Sequence, residues 1–492
     1  MKCSTRSMVW IVLLCILMLT STVFAAKATN KRLQATASPT QEVTHEHGWD
    51  KFWSDFHNPT EDLEMGMDFR FRTIYAQNID TLNDGAVDSS GRNRSMWDFQ
   101  RYRTRWWTKW MMSDNVDLNT RLVWEFRTWH LPARKPQDTD FDEALLDKLN
   151  FVVRDFLGMP VTAKIGRQDL IFGKGWLVLD GTPLDGSRTI FTDAARFTFD
   201  WKEESTTVDL VYIHQNSRAD KWLHPINDRE NALTEQDENG AILYYTNKAN
   251  KKANVELYFM YKNDNPVDYT PRNFPTMWSQ KAEIFTYGGA LSGDLDENWN
   301  YRVEGALQKG THDPTPATAG TSRHITAYGA NALLTYFTRD EQDTSYHVGY
   351  EYNSGDDPSS SDYGQFDPLW AEWPRWSELY IYTYSRETMI AESTNLHRFN
   401  IGHKFKPCEK WQICTDYHYL LADENTTTGS SSFMISPHSK FRGQLFTLWL
   451  NYKMNPQLYG HILGEYLIPG SYYDQSNRNH AYFLRFNIEY RF

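Results

Sequence analysis

The strand that ends the chain constrains the fold more than any other feature. Over residues 481–492, Tyr482, Leu484, Phe486, Ile488, Tyr490 and Phe492 alternate without interruption with Ala481, Phe483, Arg485, Asn487, Glu489 and Arg491. A period of two marks a β-strand with unlike faces. In water, a terminal strand with one fully apolar face is an edge that invites pairing with another chain. In a bilayer that face is stable, provided that every backbone N–H and C=O finds a partner, and a sheet meets this condition by closing into a barrel.

The other end of the chain agrees with export. Lys2 and Arg6 precede an apolar run over residues 8–24, and Val23-Phe24-Ala25 has small residues at the positions a signal peptidase reads. A secretory signal over residues 1–25, cut after Ala25, is expected. A retained helix is disfavoured because small and polar residues follow the run in place of a stop-transfer flank. A mean hydropathy of −0.64 with 23% charged residues would usually mark a soluble protein. In a barrel only alternate residues face lipid, so the average carries no such meaning. The 19 Trp, 28 Tyr and 27 Phe speak for the membrane, since they collect at strand ends, where interfacial girdles form.

From about Leu63 the sequence reads as eighteen strands, near 63–77, 97–113, 115–129, 144–155, 160–171, 194–202, 205–217, 240–249, 253–264, 280–292, 298–310, 323–337, 344–354, 395–406, 411–423, 440–454, 457–468 and 479–492. The expected fold is all-β, a transmembrane antiparallel up-and-down β-barrel over residues 61–492, with long extracellular loops and short periplasmic turns. Residues 26–60 form a periplasmic leader. Within it Trp49, Phe52, Trp53 and Phe56 recur at helical spacing and predict a short amphipathic helix, either resting on the periplasmic membrane interface or plugging the barrel. The connection 355–394 is the longest and most aromatic, and is expected to fold into the lumen.

Alternation also sorts the charges. In the first strand Met65, Met67, Phe69 and Phe71 oppose Glu64, Asp68, Arg70 and Arg72. A charge facing lipid near the midplane costs about 2–4 kcal/mol, so the charged set faces the lumen. On the next two strands Arg101, Arg103 and Arg105, then Arg121 and Arg127, fall on the same inner face. This basic stripe stands out in a chain of net charge −12. Either it makes a positive wall that guides anions, or its arginines pair with Asp68, Asp117 and Glu125 in transverse ladders. Further inward candidates are Lys148, Lys164, Arg196, Arg302, Arg398, Lys404 and Arg485, interleaved with Glu256, Glu304, Glu351, Asp416 and Glu465, where mixed signs suggest pairing.

Other groups promise less. Asp138, Asp140, Asp142 and Glu143 alternate in an expected loop but lack the glycine and distal glutamate of a calcium loop, so a solvated loop is the simpler reading. Cys408 and Cys414, which remain after signal removal, flank a short turn and are either disulfide-bonded or two free thiols. The sequence contains no Gly-x-Ser-x-Gly elbow, His-Glu-x-x-His or phosphate loop. His418 beside Asp416 is the one His–acid pairing of interest. Neither an enzyme, a cofactor nor a nucleic-acid partner is expected.

A family resemblance rests on Gly166-Arg167-Gln168-Asp169, on residues 181–189 (Gly-Thr-Pro-Leu-Asp-Gly-Ser-Arg-Thr) and on Phe197-Thr198-Phe199-Asp200-Trp201. Residues 374–380 (Pro-Arg-Trp-Ser-Glu-Leu-Tyr), Asn395-Leu396-His397 and residues 416–420 add to it. With these the chain resembles the alginate-export family of outer-membrane proteins from about Asn58 to Phe492. The resemblance implies an eighteen-stranded monomeric barrel that passes an acidic polysaccharide through an arginine-rich constriction. If it exports, periplasmic partners must supply direction, because the sequence has no nucleotide site. It implies that the inward basic residues play that part, with Lys148 near the place of a constriction arginine. Arg167 belongs to the motif, but simple alternation turns it outward unless a bulge intervenes. The alternatives are a general or nutrient-uptake porin, and an occluded barrel acting as a receptor.

Overall fold

The structure, a computed structural model, describes residues 48–87, 91, 93–132, 139–180, 190–218, 222–228, 233–267, 280–313, 322–357, 359–388, 391–425, 435 and 438–492. The signal and the leader up to residue 47 lie outside these. Two compact units are present, Met1–Phe52 and Trp53–Phe492, and of the first only residues 48–52, which open helix α1 (Gly48–His57), are described.

Eighteen antiparallel strands form one sheet in which the last pairs with the first, so no edge remains. They are β1 (Leu63–Gln77), β2 (Met96–Ser113), β3 (Val116–Leu131), β4 (Thr139–Val153), β5 (Val161–Gln168), β6 (Thr192–Trp201), β7 (Thr206–Gln215), β8 (Asp237–Asn247) and β9 (Asn254–Asn265). The barrel continues with β10 (Lys281–Asp294), β11 (Trp299–Asp313), β12 (Arg323–Phe337), β13 (Ser345–Asn353), β14 (Leu396–Cys408), β15 (Trp411–Leu421), β16 (Phe441–Lys453), β17 (Leu458–Pro469) and β18 (Ala481–Arg491). The even count leaves both barrel termini at one end with the short turns, and the long connections at the other. Apolar side chains cover the outside, among them Trp106, Trp124, Ile401 and Phe486, while the residues between them point inward.

The interior is filled by protein rather than left as an open tube. The connection 354–395 runs into the lumen and carries helix α2 (Glu378–Glu387), capped by Ser377 Oγ accepting from the Tyr380 N–H. Leu379, Tyr380 and Tyr384 are fully buried against inward Ile74, Ala76, Phe99, Leu463 and Phe483. A second apolar cluster joins Trp176, Leu177 and Val178, from the connection after β5, to Phe366, Leu369, Trp370 and the inner faces of β7–β12. Two inward glycines make this docking possible. A Cβ at Gly240 would stand 2.3 Å from the Trp370 ring, and one at Gly329 2.5 Å from the Phe366 ring.

At the opposite end the last turn of α1 meets the barrel rim. The Phe56 ring lies tilted against Phe492, centroids 5.9 Å apart, and His57 Nδ1 donates to the Met65 carbonyl at 2.8 Å. Because Phe492 also contacts outward Phe69, this turn lies at the outer rim and not in the lumen.

One expectation is corrected and one open alternative is resolved. The acidic run is no loop: β4 begins at Thr139, and Asp142 faces out to accept from Trp124 Nε1 while Glu143 is buried inside. Adjacent strand residues point to opposite faces, so the run does not converge on one ion. Cys408 and Cys414 are both free thiols. Asp138 and the side chain of Asp140 lie outside the described residues.

A basic wall and a lumen cavity as the candidate functional site

Period two places Arg70 and Arg72 on the inner face of β1, and Arg101, Arg103 and Arg105 on that of β2. Strand register then sets them beside one another. Arg70 stands opposite Arg103, Arg72 opposite Arg101, and Arg101 opposite Arg127 of β3. On the other flank β18 brings Arg485 opposite Ile74 and Glu489 opposite Arg70. Like charges directly across a ladder are destabilising, so this arrangement is held against its own repulsion. The carboxylates that the four strands set among these arginines are Asp68, Glu125 and Glu489. Asp68 is taken by Arg105, whose Nε donates to both of its oxygens at 2.9 and 3.0 Å, with Arg103 at 3.6 Å. Arg72 Nε donates to Asn487 Oδ1 at 2.6 Å.

Helix α2 covers the upper part of this wall. Glu378 reaches Arg485 at 3.0 Å, Arg386 pairs with Asp80 at 2.9 Å, and Tyr382 packs edge-on to Trp97. Arg72 and Arg485 are 0% exposed, so the wall faces inward but is closed over by the helix rather than bathed in an open pore.

Most of the remaining sequence candidates are paired with acids. Arg121 makes a bidentate contact with Asp147 at 2.8 and 3.0 Å and also reaches Asp169. Lys148 binds the other oxygen of Asp169 at 2.9 Å. A bulge after Arg121 leaves Asp147 as the extra residue, so that both Asp147 and Lys148 reach the interior. Arg196 pairs with Asp209 at 2.8 Å and Arg398 with Glu351 at 2.9 Å. Arg167, which the resemblance assigns to the pore and alternation turns outward, is enclosed by protein. It is 1% exposed, bound to Asp193 at 3.0 Å and capped by the Phe191 ring, following a backbone break at Gly166 (φ +121°). Asp416 pairs with His347 at 2.7 Å, while His418 packs against Trp376.

Beside Arg398 lies a cavity of about 300 Å³, lined by Trp176, Glu351, Trp373, Arg375, Trp376 and Arg398 among others. Arg375, absent from the sequence candidates, opens into it from the lumen segment and has no carboxylate partner among the described residues. Burial lowers its guanidinium from the ordinary value, against the pull of Glu351 and Glu304. A second unforeseen residue is Arg442, 0% exposed, which clamps Glu387 at the end of α2 and donates to the Asn395 carbonyl at 3.0 Å. Alternation would turn Arg442 outward. Gly443, at φ +135° beside a register shift, turns it in.

A closed eighteen-stranded barrel with an apolar outer band and a charged, protein-lined lumen defines an outer-membrane channel. The chain matches the alginate export family over residues 61–484, and it belongs to that family. Among solved structures it is similar to OccAB1 of Acinetobacter baumannii, with a TM-score of 0.53 at 10% identity over 88% of this chain and 97% of that one. OpdQ of Pseudomonas aeruginosa gives 0.51 at 12% over 89% and 99%, and OccK7 (OpdD) of the same organism 0.51 at 11% over 88% and 99%. At these identities the likeness is one of fold. No curated protein matches the chain in sequence. Family and fold together place the protein in the bacterial outer membrane and point to a transporter rather than an enzyme.

Proposed function

We propose that the protein is a passive channel with a preference for anions, and that its cargo is an acidic polysaccharide or oligosaccharide of the alginate type. The observation that carries this reading is the register of β18, β1, β2 and β3, which gathers Arg70, Arg72, Arg101, Arg103, Arg105, Arg127 and Arg485 against three strand carboxylates. Such a wall lowers the electrostatic cost of carrying carboxylates through a low-dielectric channel, and its several weak sites let the cargo leave again. Glu378, seated on Arg485, occupies the place that a carboxylate of the cargo takes in passage. The cavity adds flat Trp faces for sugar rings and Arg375 and Arg398 for their acid groups. The barrel works as a monomer, with direction supplied by periplasmic partners.

The test is block of single-channel current by oligouronates and by neutral oligosaccharides of equal length. The proposal expects block by the acidic series at concentrations at least tenfold lower. Equal block by both supports the second reading, a general solute channel, which the pairing of Arg121, Lys148 and Arg196 with acids favours.

A further inference from the structure

Across the lumen from the basic wall, the barrel and the lumen segment bury carboxylates against each other. Glu235 lies just before β8, Glu238 on β8 and Asp264 on β9, while Asp367, Glu372 and Glu392 belong to the lumen segment. Lys262 is shared among Glu238 and Asp264 at 3.3 Å and Asp367 at 3.8 Å, so one ammonium serves three acids. Gln236 Nε2 donates to Glu235 Oε1 at 2.7 Å and Glu238 Oε1 at 3.3 Å. The other oxygen of Glu235, in a side chain left 3% exposed, has no hydrogen-bond partner. Leaving a carboxylate oxygen buried and unsatisfied is costly, and such groups are retained where something binds them.

One oxygen from each of Glu235, Glu238 and Glu372 lies within 4.8 Å of the other two. We propose that these three carboxylates hold a calcium ion that clasps the lumen segment to the β8 wall. The donors are all oxygen, which suits a hard cation and excludes a preference for zinc or copper. Three oxygens mutually within 4.8 Å stand no more than about 2.8 Å from a common centre, so a shift of a few tenths of an ångström brings all three to the roughly 2.4 Å that calcium takes. The ion joins residues 235 and 238 of the wall to residue 372 of the segment, and thereby fixes the segment that carries Arg375 and α2.

The protein extracted from outer membranes and stripped with EDTA is titrated with calcium chloride, following both the heat of binding and thermal unfolding. Saturable binding and a rise of several degrees in the unfolding midpoint are expected. In the Glu235→Gln/Glu238→Gln variant the affinity falls at least tenfold. Should that variant fail to fold, terbium luminescence on the unaltered protein decides, because Trp370 and Trp373 flank Glu372 in sequence and sensitise a bound ion. The expected signal saturates and is displaced by calcium. Absence of heat, shift and sensitised emission overturns the proposal and leaves the cluster to be neutralised by protons. Binding that the double variant leaves unchanged overturns it too, since the ion then sits elsewhere. An equal response to magnesium overturns the choice of calcium.

Discussion

Two walls of the same lumen handle charge in opposite ways. On β8–β11 each cation is enclosed by acids: Arg302 binds Glu256 at 2.7 Å and Glu304 at 2.8 Å, and Lys262 sits among Glu238, Asp264 and Asp367. On β18–β3 arginines stand opposite arginines, and acids are the minority. Pairing the cations as on the first wall favours stability, since a buried charge is tolerated when it is paired. The second costs stability, and its retention points to use. The lumen is therefore polarised, with a basic side and an acidic side.

Inverting the charge of the basic side has the largest expected effect. Arg70→Glu with Arg103→Glu is expected to reverse the sign of ion selectivity in planar bilayers, whereas Arg302→Glu on the opposite wall keeps the sign. Next in size is a dissociation of stability from selectivity. Arg302→Met removes the partner of two buried acids and is expected to lower stability by about 3–5 kcal/mol, read as a fall in the unfolding midpoint. Arg101→Met relieves repulsion with Arg72 and Arg127, so the midpoint holds or rises while anion preference declines. A smaller effect separates the walls from the segment between them. Gly240→Leu drives a side chain into the place of the Trp370 ring, and larger, noisier single-channel currents are expected as the segment loosens. Least of all, raising salt from 0.1 M to 1 M shortens the screening length from about 10 Å to about 3 Å, and the anion preference should shrink accordingly without vanishing at the buried wall.

Much of this architecture was legible in the sequence, because a barrel exposes its logic as a period of two. The bounds of β1 and β12 follow from alternation alone, as does the placing of Arg101, Arg103 and Arg105 on one inner face. What alternation does not reveal is what the inner face meets. Ile74, Ala76 and Phe99 face inward although apolar, because they dock α2 and not water. Bulges defeat the period locally, which is why Arg442 and the joint entry of Asp147 and Lys148 were missed. Arg375 escaped for another reason: it sits on a connection, where side-chain direction follows from tertiary packing. The start of β4 was hidden by Asp140 and Asp142, residues disfavoured in strands but tolerated where one side chain has an outward Trp124 as donor.

The central claim, that the arginines of β2 make the lumen selective for anions, is tested most directly by the reversal potential of the purified protein under a salt gradient. Unaltered protein is compared with the Arg101→Ala/Arg103→Ala/Arg105→Ala variant. An anion-selective potential that collapses toward zero in the variant is the predicted result. An unselective current in the unaltered protein, or a potential indifferent to all three changes, would contradict the account.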